Sequence, residues 1–418
     1  MTQRYQIPYG KKYQIVEIPS HLYVEEAGKD SHQSVSHIDI ANLTLSEELG
    51  RFLKGARDLL VIINDHTRFT PSGEILQSLK DYVERVARFE VLIATGTHRP
   101  PTEFELESLL GPAYQWCHRH TRTHDCLDEN AHYLAGTIPS GIDIFLDKAI
   151  DDYDSILVIG SVEPHFFSGF TGGRKGIFPG VALKTSIILN HVKAIDSDVQ
   201  PLELDNPLHR DMDAAIDLLT GKSIFSIQTV HNPDRSAAGL FMGDIRGSFD
   251  EATKLARQIY VKQIDRQFDI VIAALEYPLD IDLYQVQKGF ENSKFAVKSG
   301  GICILVSKCR DGVGPDDWMK LSSRYGSPQE VLQNSQDASM FGFHKLYRPA
   351  RFMEHSKIFV VADVEPYLIK SVFLTPKADL QTAFDTAVKL SPPKPSVLIL
   401  YDAGQNVISV SSDSSGRD

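Results

Sequence analysis

Residues 156–180 read ILVIGSVEPHFFSGFTGGRKGIFPG. Ile156 to Ile159 form an unbroken aliphatic run, too short for a buried helix and suited to a strand of a parallel sheet that is covered on both faces. A dense polar stretch follows at once, with a histidine, a serine, three closely spaced glycines and an Arg-Lys pair. The same order of run and polar segment occurs twice earlier: Leu59 to Ile63 precede DHTRFTP (65–71), and Val91 to Ala94 precede TGTHRPPT (95–102). Ile270–Ala273, Ile302–Val306, Ile358–Val361 and Val397–Leu400 are further strand candidates, while Ser72–Ala87 and Asp211–Leu219 have helical patterning. The fold class expected is α/β, two domains with mainly parallel sheets. Open sheets of this kind bind ligands beyond the carboxyl ends of their strands, so the three polar segments can meet in one pocket.

The chain has 418 residues, of which 42% are hydrophobic, enough for two or three cores. A new strand begins in RQFDIVIAALEYP, which places a boundary near Tyr260–Arg266 and divides residues 1–264 from 265–418. The net charge of −12, without a basic block, argues against nucleic acid or an anionic membrane as partner. The first residues lack the apolar core of a signal peptide and no run has the length of a membrane span, so the expected location is cytoplasmic. Cys117, Cys126, Cys303 and Cys309 form no CxxC pair and are expected as reduced thiols. The serine-rich end, Ser411 to Asp418, is expected to fray.

Each polar segment has residues able to do chemistry. Arg68 has the planar fork that holds a carboxylate or phosphate, with Asp65 in support. His98, after a strand and before Pro100 and Pro101, is a candidate general base. His118, His120, His124 and His132 lie near Cys117 and Cys126 but match no zinc spacing, and WCHRHTRTHDCLD reads as a polar surface strand and loop. GFTGGRKG departs from the phosphate-loop pattern, since Gly176 rather than a hydroxyl follows Lys175. It still offers backbone N–H groups, Arg174 and Lys175. Gly169, Gly172 and Gly173 permit positive φ and remove the Cβ that would hold a ligand away from the main chain. His165 precedes this loop, and His191 follows a stretch able to return as a helix to the same pocket. In the second half, Gln285 and Lys288 share a face if helical and could bind a carboxylate.

In their order and spacing, IPYGKKYQIVEIP (7–19), DHTR (65–68), GTHRP (96–100), EPHFFSGFTGGRKGIFPG (163–180) with Asn190-His191, DNPLHRDM (205–212) and YQVQK (284–288) resemble the nickel-pincer lactate racemase family, α-hydroxyacid racemases and epimerases. The resemblance implies that Lys175 tethers a nickel-pincer nucleotide through a thioamide and that His191 ligates the nickel. Thr67, Gly172, Gly173 and Arg174 would neighbour the nucleotide. His98 and His165 match the two acid/base histidines. One takes the hydroxyl proton as hydride leaves Cα to give a transient 2-keto acid, and the other serves the opposite enantiomer. Arg68 and Lys288 match positions that hold the substrate carboxylate, with Gln285 beside them and Asp65 orienting Arg68. The partners implied are a small 2-hydroxyacid substrate and cofactor maturation proteins, and the active site is expected in the interdomain cleft.

Two positions depart from the lactate-type pattern, which has proline after TR and a hydroxyl after the tethering lysine; here they are Phe69 and Gly176. Malate-like, aromatic, longer or sugar acids therefore stand beside lactate as substrates. Tyr347 and Phe352 are the candidates for a late aromatic that shields the metal. The alternatives are a zinc- or phosphate-dependent sugar-acid isomerase with His98, His165 and His191 as ligands, and a non-catalytic hydroxyacid-binding protein.

Overall fold

The structure is a computed structural model that describes residues 1–29, 36–40, 46–195, 199–277 and 279–411. Residues 412–418, the greater part of the serine-rich end, lie outside these. The chain divides into two compact units: residues 31–194 with 198–259, and residues 1–30 with 195–197 and 260–418.

The first unit is built on a six-stranded sheet. Across it the strands run Ala237–Gly243, Ser223–His231, Ser155–Ser161, Asp58–Asn64, Arg88–Ala94 and Thr121–Thr123. All neighbours are parallel except the edge strand Ala237–Gly243, which pairs antiparallel with Ser223–His231. Leu59 to Ile63 are completely buried, as the unbroken aliphatic run requires of a strand covered on both faces. From Asp58–Asn64 the chain moves outward to Arg88–Ala94 and Thr121–Thr123. It then returns to lay Ser155–Ser161 on the other side of the first strand. That reversal makes the carboxyl ends of Asp58–Asn64 and Ser155–Ser161 the topological switch point of the sheet, the place where open α/β sheets bind their ligands.

The second unit has its own six-stranded parallel sheet, in the order Thr375–Pro376, Lys357–Val361, Val297–Val306, Phe268–Ala274, Val397–Leu400 and Val24–Ala27. An N-terminal hairpin, Thr2–Tyr9 with Lys12–Pro19, turns at Gly10 with φ +61°. It buries Tyr5, Ile7, Val16 and Ile18 against Ile270, Ile272, Ile302 and Ile304 of this sheet. The hairpin's alternation of buried and exposed side chains is that of strands packed on one face only. The grouping thus differs from a continuous 1–264 domain at the N-terminus, where apolar burial ties the first residues to the later sheet. No helix among the described residues is long and apolar enough to cross a membrane.

Candidate active site

The strand Asp58–Asn64 ends in a turn closed by the Arg68 amide donating to the Asp65 carbonyl at 3.2 Å. The Asp65 side chain, 3% exposed, accepts from the Thr67 amide (3.2 Å) and hydroxyl (2.6 Å) on Oδ1. Its Oδ2 lies 2.7 Å from Nδ1 of His98. Burial alone would raise the Asp65 carboxyl, but the His98 hydrogen bond and charge, with the Thr67 hydroxyl, bring it below the ordinary value. The carboxylate therefore orients His98. The Arg68 guanidinium, whose charge also lowers Asp65, donates from Nη1 to Glu163 Oε2 at 3.2 Å, so a second carboxylate shares in orienting it. Thr67 likewise directs its hydroxyl to Asp65.

His98 is held by its amide bond to the Thr95 carbonyl (2.9 Å), and Gly96, with φ +54°, donates its amide to the Gly180 carbonyl (2.9 Å). The second strand-end loop is thereby joined to the glycine-rich one.

The third loop begins at Glu163. Its backbone exchanges hydrogen bonds with Thr171, and Pro164–His165 pairs antiparallel with Gly169–Phe170, so PHFFSGF is a tight hairpin. Nδ1 of His165 faces the amides of Ser168 (3.3 Å) and Phe167 (3.5 Å). An amide can only donate, so Nδ1 accepts and Nε2 carries the proton. His98 is set oppositely, because its Nδ1–H serves the Asp65 carboxylate and leaves Nε2 as an acceptor.

The Phe167 ring gathers the remaining candidates. It lies edge-on to His165 (4.4 Å between centroids) and to His191 (5.0 Å), and Lys175 Nζ is 5.6 Å from its centre. Nζ also donates to the Ser168 hydroxyl at 3.1 Å. His191 ends the helix Lys184–His191, the return that the sequence suggested. Burial first, then the Lys175 ammonium, pushes the His191 imidazole down to about 3, so it is neutral and can ligate a metal. Its Nδ1 is buried and makes no hydrogen bond of ordinary geometry, although the Ile187 carbonyl lies near enough to favour a proton there.

The structure changes several sequence expectations. A Cβ at Gly172 (φ +86°) would lie 2.7 Å from Gln228 Oε1, and one at Gly173 (φ +54°) would lie 3.0 Å from the Phe249 side chain. The space left by these glycines is filled by protein, and the Gly173 amide already donates to Gln228 Oε1 at 2.8 Å. They serve positive φ and close packing rather than a ligand's approach from that side. Arg174 turns into the interior, with Nε 2.6 Å from Asp213, Nη2 2.5 Å from His209 Nε2 and the guanidinium over Phe249. Gly176 is demanded by the strand beneath it, since a Cβ would come 2.8 Å from Val158. Phe69 lies under the Arg235 guanidinium. His124 and His132 are buried rather than on a polar surface, with their Nε2 atoms 3.0 Å apart.

Gln285 and Lys288 belong to the other unit, on the helix Leu283–Ser293 that Asp282 caps by accepting from the Gln285 amide at 2.7 Å. Tyr347 and Phe352 pack against Phe343 and Phe290 on the core of that unit, so neither is marked as a metal shield. Glu163 and Phe167 were missed by sequence reasoning as functional side chains. Only the placement of Glu-Pro-His directly after a buried strand could have signalled the first.

Comparison with known proteins gives the class and then the family. Residues 9–201 match the lactate racemase N-terminal domain, and residues 261–409 match the lactate racemase C-terminal domain. The lactate racemase of Thermoanaerobacterium thermosaccharolyticum is 30% identical over 404 residues, covering 91% of this chain and 93% of that protein. The lactate racemase of Lactiplantibacillus plantarum is 29% identical over 410 residues, covering 91% and 94%. The solved lactate racemase apoprotein from T. thermosaccharolyticum superposes with a TM-score of 0.86 at 27% identity, over 97% of this chain and all of that one. A Thermotoga maritima protein shares the fold at a TM-score of 0.68 and 19% identity, over 88% of this chain and 99% of that one. An α/β fold with this likeness defines an isomerase of the racemase class. The chain belongs to the lactate racemase family.

Proposed function

We propose that the protein racemises or epimerises a 2-hydroxy acid through a nickel-pincer nucleotide tethered to Lys175. What carries this reading is the assembly around Phe167 and Asp65: two oriented imidazoles and one amine from the segments that follow the sheet's strands, and one buried neutral imidazole from the end of the helix Lys184–His191. The residues suit such a group, because the chemistry of its donor set asks the protein for a single nitrogen ligand and one amine. His191, neutral and with an orphaned Nδ1, and Lys175 supply them. When bound, the group supplies a reversible hydride acceptor, so that Cα can pass through a planar 2-keto acid.

The chain's own residues do the rest. Arg68, held by Glu163, takes the substrate carboxylate. His98 accepts the hydroxyl proton on Nε2, while Asp65 stabilises the imidazolium that results. His165 presents Nε2–H to the oxygen on the other face. For it to act as base in its turn, the Phe167 and Ser168 amide contacts to Nδ1 must give way, and at 3.3–3.5 Å they are long enough to do so. Maturation proteins supply the cofactor. The test is chiral chromatography of single-enantiomer 2-hydroxy acids after incubation with the matured protein. Loss of optical purity is expected; unchanged purity across a broad panel with fully loaded protein would overturn the reading.

A further inference from the structure

The segment DNPLHRDM (205–212) opens the helix Pro207–Asp217. Asn206 caps it by accepting from the His209 amide at 3.0 Å, and donates its own side-chain amide to the Glu203 carbonyl at 2.6 Å. Leu208 and Asp211, three residues apart, share one helical face, while His209 and Asp213, four apart, share the next. The second face takes Arg174, the neighbour of Lys175. The first meets the supports of His191 and Phe167.

Asp211 is 4% exposed, and one of its oxygens holds two side chains. Oδ2 accepts from Asn190 Nδ2 at 3.1 Å and from Lys193 Nζ at 2.6 Å. Asn190 Nδ2 also donates to the Leu208 carbonyl at 3.3 Å, and since a carbonyl and a carboxylate can only accept, the orientation of the Asn190 amide is fixed. Asn190 and Lys193 stand on either side of His191, which ends a helix of eight residues. So short a helix has little stability of its own, and its last turn has no following turn to hold it. The His191 Nδ1 has no hydrogen bond of ordinary geometry to set the ring, so the aim of the imidazole depends on where the backbone around it is held. A metal ligand must be placed to within about 0.2 Å.

We propose that Asp211 is a positioning residue for the metal-binding imidazole: by fastening Asn190 and Lys193 to one carboxylate oxygen, it fixes the helix end from which His191 reaches the site. The inference rests on the reading of His191 as the nickel ligand. Leu208, from the same face as Asp211, packs with Phe166 and Phe167, and the Phe167 ring lies edge-on to His191. One helical face therefore sets both the imidazole and the ring against it. His98 is held separately, by Asp65. A clamp that served only the stability of this unit would be felt at both histidines alike, whereas one that positions His191 is felt there first.

Histidine-selective nitrogen NMR of the unloaded protein, and nickel release to a chelator from the loaded protein, test this. Asp211→Ala should shift the His191 ring signals and leave those of His98 in place. It should also speed nickel release about 10- to 100-fold while the adduct on Lys175 keeps its full mass. Asp211→Asn, whose side-chain oxygen can still accept from Asn190 and Lys193, should restore retention to within about threefold of wild type. Unmoved His191 signals, unchanged nickel release, or an Asp211→Asn variant that releases nickel as fast as Asp211→Ala would overturn the inference. Should Asp211→Ala fail to fold, Asn190→Ala, which cuts one tie between the two helices and leaves the carboxylate in place, decides by the same two readouts. His191→Ala separates the two failures. If it releases nickel at the wild-type rate, the reading of His191 as ligand falls and the inference with it; if it loses nickel while Asp211→Ala keeps it, the positioning role alone falls.

Discussion

Replacing Asp65 with asparagine reports on the pair that sets His98. The carboxylate is 3% exposed and 2.7 Å from Nδ1, whereas the His98 side chain is 52% exposed. A full imidazolium-carboxylate attraction at about 4 Å is worth about 4 kcal/mol at the effective dielectric of a protein surface and about 1 kcal/mol in water. The half-exposed ring falls between, near the ~1.5–3 kcal/mol of a hydrogen bond to a charged group. The direct loss in kcat is therefore roughly 10- to 150-fold. Asparagine adds a second effect whose sign the surroundings fix. Thr67 offers two donors to Oδ1, so the asparagine oxygen must stay there and the amide NH2 must face His98. His98 Nδ1 would then accept, Nε2 would carry the proton, and the base would be lost in its resting tautomer. Histidine-selective nitrogen NMR of the unloaded variant should show this exchange, and racemisation kinetics of the loaded variant should show the loss. A variant within threefold of wild type, or one that keeps its proton on Nδ1, would refute the reasoning.

His98→Gln and His165→Gln should each retain cofactor, read by intact mass and metal content, while inversion of a single enantiomer falls by at least about 100-fold. His191→Ala should lose nickel, measured by elemental analysis, while Asp65 still holds His98. Glu163→Gln should raise KM more than it lowers kcat, since it frees the Arg68 guanidinium rather than a proton-transfer group. In the unit of residues 260–418, Glu291→Gln leaves Arg348 buried without its charge partner and should cost about 3–5 kcal/mol in denaturant unfolding. Burial raises the Glu291 carboxyl, but the Arg348 and Lys294 charges outweigh it and pull it down to about 2. Its contribution is thus present above the ordinary carboxylate range and is lost as the pH falls from about 4.5 towards 2, a loss that the variant should not show.

The central strands were legible because each is an aliphatic run buried on both sides. Val397–Leu400 carries its whole signal in its own residues, and the polar segments after Leu59–Ile63, Val91–Ala94 and Ile156–Ile159 do lie at strand ends. Ser223–His231 escaped because serine, glutamine, threonine and histidine interrupt the run; of these, Gln228 holds the Gly173 amide of the glycine-rich loop. The N-terminal hairpin announced its alternation but not the sheet it covers, which depends on contacts some 250 residues away in the chain. Residue types singled out Lys175, His98, His165 and His191 as candidates, and the family resemblance supplied their expected roles. They could not assign partners, because Asp65 and Glu163 are both carboxylates in reach of Arg68 and only the turn geometry sends one to His98. The glycines are a related case: a missing Cβ makes room, and only the packing shows that protein fills the Cβ side at Gly172 and Gly173.

The proposed chemistry depends on the amine of Lys175. Peptide mapping by mass spectrometry of protein matured in a host that makes the cofactor should find a covalent adduct on the peptide containing Lys175, absent from Lys175→Ala. An unmodified Lys175 in protein that inverts a 2-hydroxy acid, or full activity of Lys175→Ala, would contradict it.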